Sequence, residues 1–173
     1  MSAEQIREAI RDIPDFPKPG IIFKDITPIL KDPALFKATN DILAEQVTAA
    51  GATKLAAIDA RGFLFAGALA ERLDIGIVPI RKQGKLPYKT FEQTYDLEYG
   101  SATLAVHQDA FEAGEKVVIV DDLLATGGTA QASAKLVEQC GATVAAILFV
   151  VELAFLNGRE KLVDYTVFAP VVY

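Results

Sequence analysis

Short apolar stretches alternate with amphipathic ones along most of the chain. Two stretches, 62–73 and 129–139, carry apolar residues at helical spacing. Other segments have the length and the apolar content of buried β-strands: 54–59, 75–80, 102–107, 117–120, 143–151 and 163–168. Short apolar strands separated by helices predict an α/β fold, in which a mostly parallel central sheet is flanked by helices.

The first third of the chain follows a different pattern. Ser2 and Gln5 have the spacing of a capping box, which predicts a short N-terminal helix. Residues 12–22 contain three prolines and a glycine, which predict an irregular, partly extended arm. Asp32 and Pro33 are typical of the N-cap and the first position of a further helix.

The chain is expected to form one domain spanning 1–173, because no internal repeat, low-complexity stretch or linker divides it. Residues 1–30 are expected to add an N-terminal helix and arm to that domain. Residues 81–100 are mainly polar and show no clear periodicity. Irregular segments of this length in compact domains are usually lids or disordered, so we predict a lid there.

Composition narrows the class of function. The formal net charge is -6, whereas nucleic-acid-binding proteins usually carry a basic stripe, so we expect no nucleic-acid partner. The single cysteine, Cys140, excludes an internal disulfide and a cysteine-based zinc cluster. No apolar run reaches the ~18 residues of a membrane helix, and the first residues lack a signal-peptide core. We therefore expect a cytoplasmic protein with no membrane partner.

The most informative segment is VVIVDDLLATGGT, residues 117–129. A buried strand ends in two carboxylates, Asp121 and Asp122, and a glycine-containing loop then opens a helix. Ligands of parallel sheets bind beyond the carboxyl ends of the strands, and amides at a helix N-terminus bind anions. The segment therefore predicts a phosphate cradle, with a sugar diol or hydrated Mg²⁺ at the carboxylates. The cradle comprises Ala125, Thr126, Gly127, Gly128 and Thr129.

Other interpretations of these residues stay open at this point. The cradle lacks the lysine of a Walker A loop and the spacing of G-x-G-x-x-G. An ordinary turn with two solvated aspartates would explain Asp121 and Asp122 alone, but not the whole segment. A second turn, Asp59-Ala60-Arg61-Gly62, also joins a predicted strand to a predicted helix. Its arginine can bind a phosphate through two N–H groups, or it can lie in a plain surface turn.

The 121–129 segment resembles the phosphoribosyl pyrophosphate motif of the type I phosphoribosyltransferase family. Four further segments resemble the adenine-specific branch of that family, in its order: FPKPGIIFKDITP (16–28), DARGFLF (59–65), RKQGKLP (81–87) and YDLEYG (95–100). The resemblance is weakest at 88–94. It implies a central-sheet fold with an N-terminal hood and a flexible catalytic lid. It also implies a homodimer that joins adenine to phosphoribosyl pyrophosphate with Mg²⁺, giving AMP and pyrophosphate.

The resemblance assigns roles to the residues at the predicted sheet edge. Asp121 and Asp122 would hold the ribose hydroxyls, and the 125–129 loop would hold the 5′-phosphate. Mg²⁺ would bind mainly through the substrate, with the two aspartates as further candidate ligands. Residues 59–61 would form the pyrophosphate loop, and the family can carry a cis peptide bond there, at Asp59–Ala60.

The lid is expected to contribute both charge and acid–base chemistry. Lys82 and Lys85 would reach the pyrophosphate, either in their own subunit or across a dimer interface. Adenine loses its N9 proton in the reaction, and the family places a glutamate matching Glu98 at that step, with Tyr99 assisting. The lone histidine, His107, belongs to no motif and is interpreted as structural.

The adenine site is expected at the arm. Adenine presents a 6-amino donor where hypoxanthine presents a carbonyl acceptor, so a fixed backbone C=O discriminates strongly between them. By resemblance, Ile22 supplies backbone contacts, Phe23 stacks on the ring next to Lys24, Leu153 covers the other face and Arg61 also reaches the base. Without the resemblance, Phe23 and Leu153 would be interpreted as core residues.

Two other functions fit part of this pattern. A sister enzyme would use hypoxanthine, xanthine or orotate, but the arm and the Leu-Glu-Tyr-Gly run at 97–100 argue against it. A regulator would keep the phosphoribosyl site as a sensor and bind nucleic acid. Such a protein normally carries a basic domain or face, which this sequence lacks, so a transferase is favoured.

Overall fold

A computed structural model describes residues 2–173, which form two compact units. The N-terminal unit ends at Ile42, and the second unit comprises Leu43–Tyr173. Within the described residues, no helix is long and apolar enough to cross a membrane. The N-terminal elements are α1 (Ala3–Ala9), β1 (Arg11–Pro14), β2 (Ile22–Asp25) and α2 (Thr27–Lys31), and α3 (Pro33–Ala49) begins in this unit.

Two predicted helix starts are confirmed. In α1, Gln5 N donates to Ser2 Oγ and Ser2 N donates to Gln5 Oε1, which is the predicted capping box. In α3, Asp32 Oδ1 accepts from the backbone N–H groups of Ala34 and Leu35 at 2.8 and 3.0 Å. Both caps satisfy N–H groups that have no acceptor inside the helix.

The two ends of the predicted irregular arm are β-strands that pair with each other as a hairpin. β1 and β2 pair antiparallel, with Pro14 opposite Ile22. This agrees with the predicted partly extended arm, because residues 12–14 and 22 are in strands and the residues between them are irregular. A two-stranded ribbon consists only of edge strands, and edge strands accept proline. The loop between the strands is closed by Asp15 Oδ1, which accepts from Gly20 N at 2.8 Å.

The second unit is built on a seven-stranded sheet of order β11-β9-β7-β3-β4-β6-β5. The strands from β11 to β4 pair in parallel, and β4, β6 and β5 pair antiparallel, which confirms a mostly parallel α/β sheet. The elements of this unit are β3 (Lys54–Ile58), α4 (Gly62–Leu73), β4 (Gly76–Lys82), β5 (Thr90–Asp96), β6 (Ser101–His107), β7 (Lys116–Val120), β8 (Leu123–Leu124), α5 (Gly128–Gln139), β9 (Thr143–Leu148), β10 (Val151–Glu152), β11 (Val167–Phe168) and β12 (Val171–Val172), with 3₁₀-helices at Ala154–Leu156 and Gly158–Leu162.

The centre of the sheet is covered on both faces. Four consecutive residues of β7, 117–120, are buried, as are four of β3, 55–58. Successive side chains of a strand point to opposite faces, so continuous burial requires packing on each side. The sequence predicted these central strands and the helix 62–73 with nearly correct bounds because their apolar patterns are strong.

The predicted irregular segment 81–100 contains nine strand residues, which corrects that prediction in part. β4 extends into it and β5 crosses its second half, so only 83–89 and 97–100 are irregular. β5 is an edge strand with alternating burial. Its alternation was missed because polar side chains stand on both faces, which hides the period of two. The partly buried positions at its centre are Phe91, Gln93 and Tyr95.

Two predicted strands are shorter than expected. The run 143–151 is divided between β9 and β10, because the N–H groups of Val150 and Val151 both bond to Asp122 O instead of continuing the large sheet. β10 then joins β8 and β12 in a small parallel sheet. Of the run 163–168, only the last two residues form a strand, β11.

Candidate active site

Two loops meet at one edge of the large sheet because β3 and β7 are adjacent and parallel. β3 leads into residues 59–61, and β7 leads into Asp121 and Asp122. A methyl group in place of a Gly62 hydrogen would lie 2.7 Å from Val120 O. Only glycine therefore allows the 59–61 loop to pack so closely on the end of β7.

Carboxylates and cations pair across these loops. Arg61 Nε donates to Asp122 Oδ2, and Asp122 is buried whereas half of the Arg61 side chain is exposed. Asp59 Oδ2 accepts from Arg81 Nε at 3.0 Å and lies 3.7 Å from Lys85 Nζ. The peptide bond after Asp59 is cis, as the family resemblance implies. Three cations thus lie where a pyrophosphate loop was predicted.

The predicted phosphate cradle is a cavity at the N-terminus of α5. Gly127 has a φ of 82°, in the left-handed region that favours glycine, and α5 begins at the next residue. The first N–H groups of a helix lack an acceptor within it, and the helix dipole is positive there. The cavity of ≈ 80 Å³ is lined by the five predicted cradle residues together with Asp121, Leu124 and Phe149.

Asp121 borders this cavity in a state that favours the neutral acid. Burial raises the pKa of its carboxyl well above the ordinary value, and the Asp122 carboxylate raises that pKa further. Asp121 Oδ1 accepts the backbone N–H of Asp122 at 2.8 Å. Two adjacent carboxylates of this kind are ionised together more easily when a cation or hydroxyl donors contact them. A metal ion or a ribose diol supplies that contact.

A segment distant in sequence supports the cradle, and the sequence analysis did not identify it. A Cβ atom on Gly127 would collide with the backbone of Gly158, and one on Gly158 would collide with Ala125 O. The 3₁₀-helix that begins at Gly158 is tied to β10 by Arg159, which donates three hydrogen bonds of 2.7–2.9 Å to the buried carboxylate of Glu152. This ion pair holds Gly158 against the cradle.

Leu153, Lys82 and Tyr95 lie in three different parts of the second unit. Leu153 is partly buried, and its N–H donates to Leu124 O at 2.9 Å, beside the cradle. Lys82 is the last residue of β4, and its side chain is exposed. Tyr95, which the sequence analysis did not identify, lies against the cradle and accepts a hydrogen bond from Thr129 Oγ1 at 3.0 Å. Its place as the first residue of the YDLEYG segment is the signal that could have identified it.

The predicted acid–base residues lie in a hairpin turn. Leu97 N donates to Gly100 O at 2.9 Å, which closes the turn between β5 and β6. Glu98 and Tyr99 are exposed in it, with 80% of Tyr99 accessible to solvent. In the part of the chain that the structure describes, no hydrogen bond or ion pair joins Glu98 to the cradle. The predicted catalytic carboxylate therefore stands outside the cluster of paired charges.

The residues predicted to contact the base through the arm lie on β2 of the N-terminal unit. The ring of Phe23 meets Phe16 edge-on, with centroids 5.2 Å apart. Lys24 Nζ donates to Asp12 Oδ1 at 2.6 Å. Ile22 is 56% exposed, although large aliphatic side chains are usually buried. The hairpin thus braces Phe23 and Lys24 and leaves Ile22 accessible.

Metal-binding side chains are sparse. Among residues 2–173, no group of three or more His, Cys, Asp or Glu side chains is arranged to hold a metal ion. The lone histidine, His107, accepts a hydrogen bond from Tyr88 N at 3.3 Å and meets its ring edge-on, which fits a structural role. Asp121 lines the cradle cavity, and Asp122 is the next residue along the chain.

Comparison with known proteins gives matches over most of the chain. A family model described as the phosphoribosyl transferase domain matches residues 25–169. The adenine phosphoribosyltransferase of Solidesulfovibrio magneticus is 56% identical over 160 residues, which is 92% of this chain and 94% of that protein. That of Nitrosococcus oceani is 53% identical over 98% of this chain and 99% of its own length.

Solved structures agree with these relatives. The crystal structure of adenine phosphoribosyltransferase from Thermoanaerobacter pseudethanolicus has a TM-score of 0.96 at 52% identity, covering 99% of this chain and 100% of that chain. The Saccharomyces cerevisiae enzyme was solved with D-2,5-dideoxy-2,5-imino-altritol 1,6-bisphosphate and adenine. Its TM-score is 0.93 at 41% identity, over 97% of each chain.

Proposed function

This chain belongs to the adenine phosphoribosyltransferase family, and on that premise we propose that its sheet-edge site transfers the 5-phosphoribosyl group of phosphoribosyl pyrophosphate to adenine. The products are AMP and pyrophosphate, and the enzyme is a pentosyltransferase of purine salvage. The observation that carries the proposal is the meeting of three features at one edge: the amide cradle, two aspartates and the cations around the 59–61 loop.

Each feature suits one part of the substrate. The cradle suits the 5′-phosphate, because loop amides, a helix N-terminus and two threonine hydroxyls all donate hydrogen bonds. Asp121 and Asp122 accept hydrogen bonds from the two ribose hydroxyls. Arg61 and the backbone around Ala60 bind the leaving pyrophosphate, and the lid cations Lys82 and Lys85 extend that contact.

The proposed reaction is a displacement at the anomeric carbon of ribose. The bond to the pyrophosphate oxygen breaks and the bond to N9 of adenine forms, through an oxocarbenium-like transition state. Holding both reactants in line and neutralising the leaving group supply most of the rate enhancement. Glu98 accepts the N9 proton or a hydrogen bond from the ring, and Tyr99 assists. Because Glu98 is exposed, this role requires the 97–100 hairpin to close over bound substrate.

The adenine contacts are proposed on family resemblance together with the accessibility of β2. Ile22 offers backbone groups to the edge of the base, and Phe23 stacks on its ring beside Lys24. Leu153 covers the opposite face, and Arg61 reaches the base from the pyrophosphate loop. The related S. cerevisiae enzyme was solved with adenine bound, which supports adenine as the base.

Mg²⁺ is the proposed cofactor, and the oxygen donors at the site fit it. Proteins usually hold Mg²⁺ through one or two carboxylates together with substrate phosphates and water. Asp121 and Asp122 are carboxylates of this kind, and burial together with the neighbouring Asp122 carboxylate raises the pKa of Asp121. When bound, the metal neutralises charge on the pyrophosphate.

A spectrophotometric assay with phosphoribosyl pyrophosphate, Mg²⁺ and each purine base in turn tests the proposal. We expect AMP from adenine and no nucleotide from hypoxanthine or xanthine. Turnover of another base alone would contradict the roles of Ile22, Phe23 and Leu153. Binding of phosphoribosyl pyrophosphate without any turnover would favour the sensor function instead.

We also propose that the protein is a homodimer located in the cytoplasm. The second unit exposes large apolar side chains that a partner subunit would cover, and the family resemblance implies a dimer. Light scattering should give twice the 18.6 kDa chain mass. The apolar side chains are Leu64, Ile77, Phe155, Leu156 and Val163.

A further inference from the structure

We propose that Tyr95 is a positioning residue for the phosphate cradle, acting through the hydroxyl of Thr129. This inference rests on the proposed function, because it takes the 125–129 loop as the 5′-phosphate site. It begins from one hydrogen bond, in which Thr129 Oγ1 donates to Tyr95 Oη at 3.0 Å. Tyr95 is the first residue of the YDLEYG segment, but the family resemblance assigned no role to it.

The ring of Tyr95 also lies directly on the cradle backbone. A methyl group on Gly128 would come within 3.0 Å of Tyr95 Cδ2 and 3.5 Å of Cε2. The ring thus occupies the space where a side chain at position 128 would stand. Since α5 begins at Gly128, the same contact fixes the direction of the first N–H groups of the helix.

The position of Tyr95 is set by the large sheet and by a contact at the far end of α5. Tyr95 pairs with Ala102 in the β5–β6 ladder, so its backbone is part of the large sheet. Two residues earlier, Gln93 Oε1 accepts from Gln139 Nε2 at 3.1 Å, at the far end of α5. β5 therefore runs along α5, with Tyr95 at the cradle end and Gln93 at the other end.

Tyr95 changes what the hydroxyl of Thr129 can do. A Ser or Thr hydroxyl inside a helix usually turns back to the carbonyl four residues earlier. Ser133 of the same helix does so, donating to Thr129 O at 2.8 Å. Thr129 is only the second residue of α5, so no helical carbonyl lies four residues before it, and its hydroxyl bonds to Tyr95 beside the cradle.

The hydrogen bond between these two hydroxyls can reverse when an anion arrives. Each hydroxyl donates one hydrogen and accepts two, and its hydrogen rotates to suit the partner. With phosphate in the cradle, Tyr95 O–H donates to Thr129 Oγ1, and the Thr129 hydrogen turns to a phosphate oxygen. The pair then acts as a two-step donor chain, in which Tyr95 strengthens the donor that contacts the ligand.

Tyr95→Phe tests this inference, because it removes the hydroxyl and keeps the ring. The first readout is the affinity for ribose 5-phosphate by calorimetry, which needs no turnover. We expect about a five-fold weaker Kd, the size of one net hydrogen bond. With adenine as co-substrate, we expect KM for phosphoribosyl pyrophosphate to rise by a similar factor, with kcat and the KM for adenine within about two-fold of wild type.

Tyr165→Phe is the matched control. Tyr165 Oη donates to Glu138 Oε1 at 2.9 Å, so this variant also removes a hydroxyl bonded to α5, but at the end distant from the cradle. We expect it to bind ribose 5-phosphate as the wild type does. A loss in Tyr165→Phe equal to that in Tyr95→Phe would assign the effect to general loosening of α5 and overturn the inference.

A double-mutant cycle separates the hydroxyl chain from a structural role. Thr129→Val removes the acceptor, so adding Tyr95→Phe to it should cost little further affinity. If the loss of affinity in the double variant equalled the product of the two single losses, the inference would be overturned. Wild-type affinity in Tyr95→Phe would also overturn it. A wild-type protein that binds ribose 5-phosphate but forms no AMP would overturn the proposed reaction alone, and the comparison of binding would still decide the role of Tyr95.

Discussion

Asp122 connects the charge of the site to its backbone. Its carboxylate pairs with Arg61, and its carbonyl oxygen accepts from Val150 and Val151, which leads the chain from β9 into β10. The side chain is therefore placed by the same hydrogen bonds that divide two strands. Substitution of Asp122 can therefore show whether its carboxylate is needed for the reaction or only for the fold.

Asp122→Asn removes the charge and keeps the shape and the backbone bonds. We expect kcat/KM for phosphoribosyl pyrophosphate to fall about 100-fold, or roughly 3 kcal/mol, because a hydrogen bond from a ribose hydroxyl to a carboxylate is lost. The free energy of unfolding should change by less than about 1 kcal/mol, because half-exposed Arg61 can be solvated instead. Steady-state kinetics and urea unfolding check both values, and near-normal turnover would remove Asp122 from the mechanism.

Glu98→Gln tests the proposed acid–base role. We expect kcat to fall about 100-fold, the usual contribution of a positioned proton acceptor, while KM for phosphoribosyl pyrophosphate changes by about two-fold at most. Glu92→Gln is a matched control, since Glu92 is an exposed carboxylate of the same hairpin that bonds to Gln83. If only KM moved in Glu98→Gln, Glu98 would be a binding residue.

At the scale of residues, the sequence predicted the parts of the site that are contiguous. The carboxylates, glycines and threonines of 121–129 predict a phosphate cradle, because their spacing in one short segment is enough to define the loop. The supports of that loop could not be predicted in the same way. Gly158 and Tyr95 each lie about thirty residues from it, and their contacts depend on which strands become neighbours.

At the scale of elements, prediction succeeded where burial is continuous and failed where it alternates with polar residues. β3 and β7 are apolar throughout, so their pattern identifies them. β5 is an edge strand that carries Gln93 at a partly buried position, and it was interpreted as part of a lid. This failure also affected the prediction of the site, because β5 carries Tyr95, the tyrosine that contacts the cradle.

Gly158→Ala tests the support that the 3₁₀-helix gives to the cradle. The added methyl would collide with Ala125 O and lie 2.9 Å from Leu124 Cδ1, so we expect a loss of about 1–3 kcal/mol in the free energy of unfolding and weaker ribose 5-phosphate binding. Gly67→Ala is the control, because a methyl there meets nothing within 4 Å and lies in α4, where alanine should stabilise by about 0.5–1 kcal/mol. Equal behaviour of the two variants in thermal unfolding would contradict the close packing at Gly158.

Glu115 joins the start of β7 to β3 and should make stability depend on pH. The N–H of Glu112 lowers the pKa of the Glu115 carboxyl, and Lys54 at 3.0 Å lowers it further, while burial opposes both. The native state then binds this proton less tightly than the unfolded state. The stabilisation is therefore complete above the ordinary pKa of 4.5 and is lost as the pH falls through the lowered value.

Glu115→Gln should consequently lower the free energy of unfolding by about 1 kcal/mol at pH 7 and by much less near pH 3. Urea unfolding at both pH values measures the difference. Glu112→Gln removes an exposed carboxylate three residues away and should change stability little at either pH. A loss in Glu115→Gln of the same size at pH 3 would show that shape, not charge, is responsible.

At the scale of the whole molecule, an acidic chain binds a polyanionic substrate. The net charge of -6 gives no general attraction, so the cations must be concentrated by topology. Because β3 and β4 are parallel neighbours, Arg61 after β3, Arg81 near the end of β4 and Lys85 after β4 come to one edge of the sheet. Sequence reasoning predicted the fold class and this edge, but not the pairing of Asp59 with Arg81 and Lys85, which depends on side-chain packing between two segments.

In the proposed dimer, the lid lysines serve either their own subunit or its partner. Lys85 Nζ lies 3.7 Å from Asp59 Oδ2 of the same chain, so we expect Lys85 to act within its own subunit. Mixed dimers of Lys85→Ala and Asp122→Asn, made by co-expression, would then contain no intact site, and their activity should not exceed the average of the two variants. Random pairing makes about half of the dimers mixed. If Lys85 acted across the interface, each mixed dimer would hold one intact site out of two, so activity would recover to about a quarter of wild type. The same mixture with Lys82→Ala provides the comparison for a lysine whose exposed side chain ends β4.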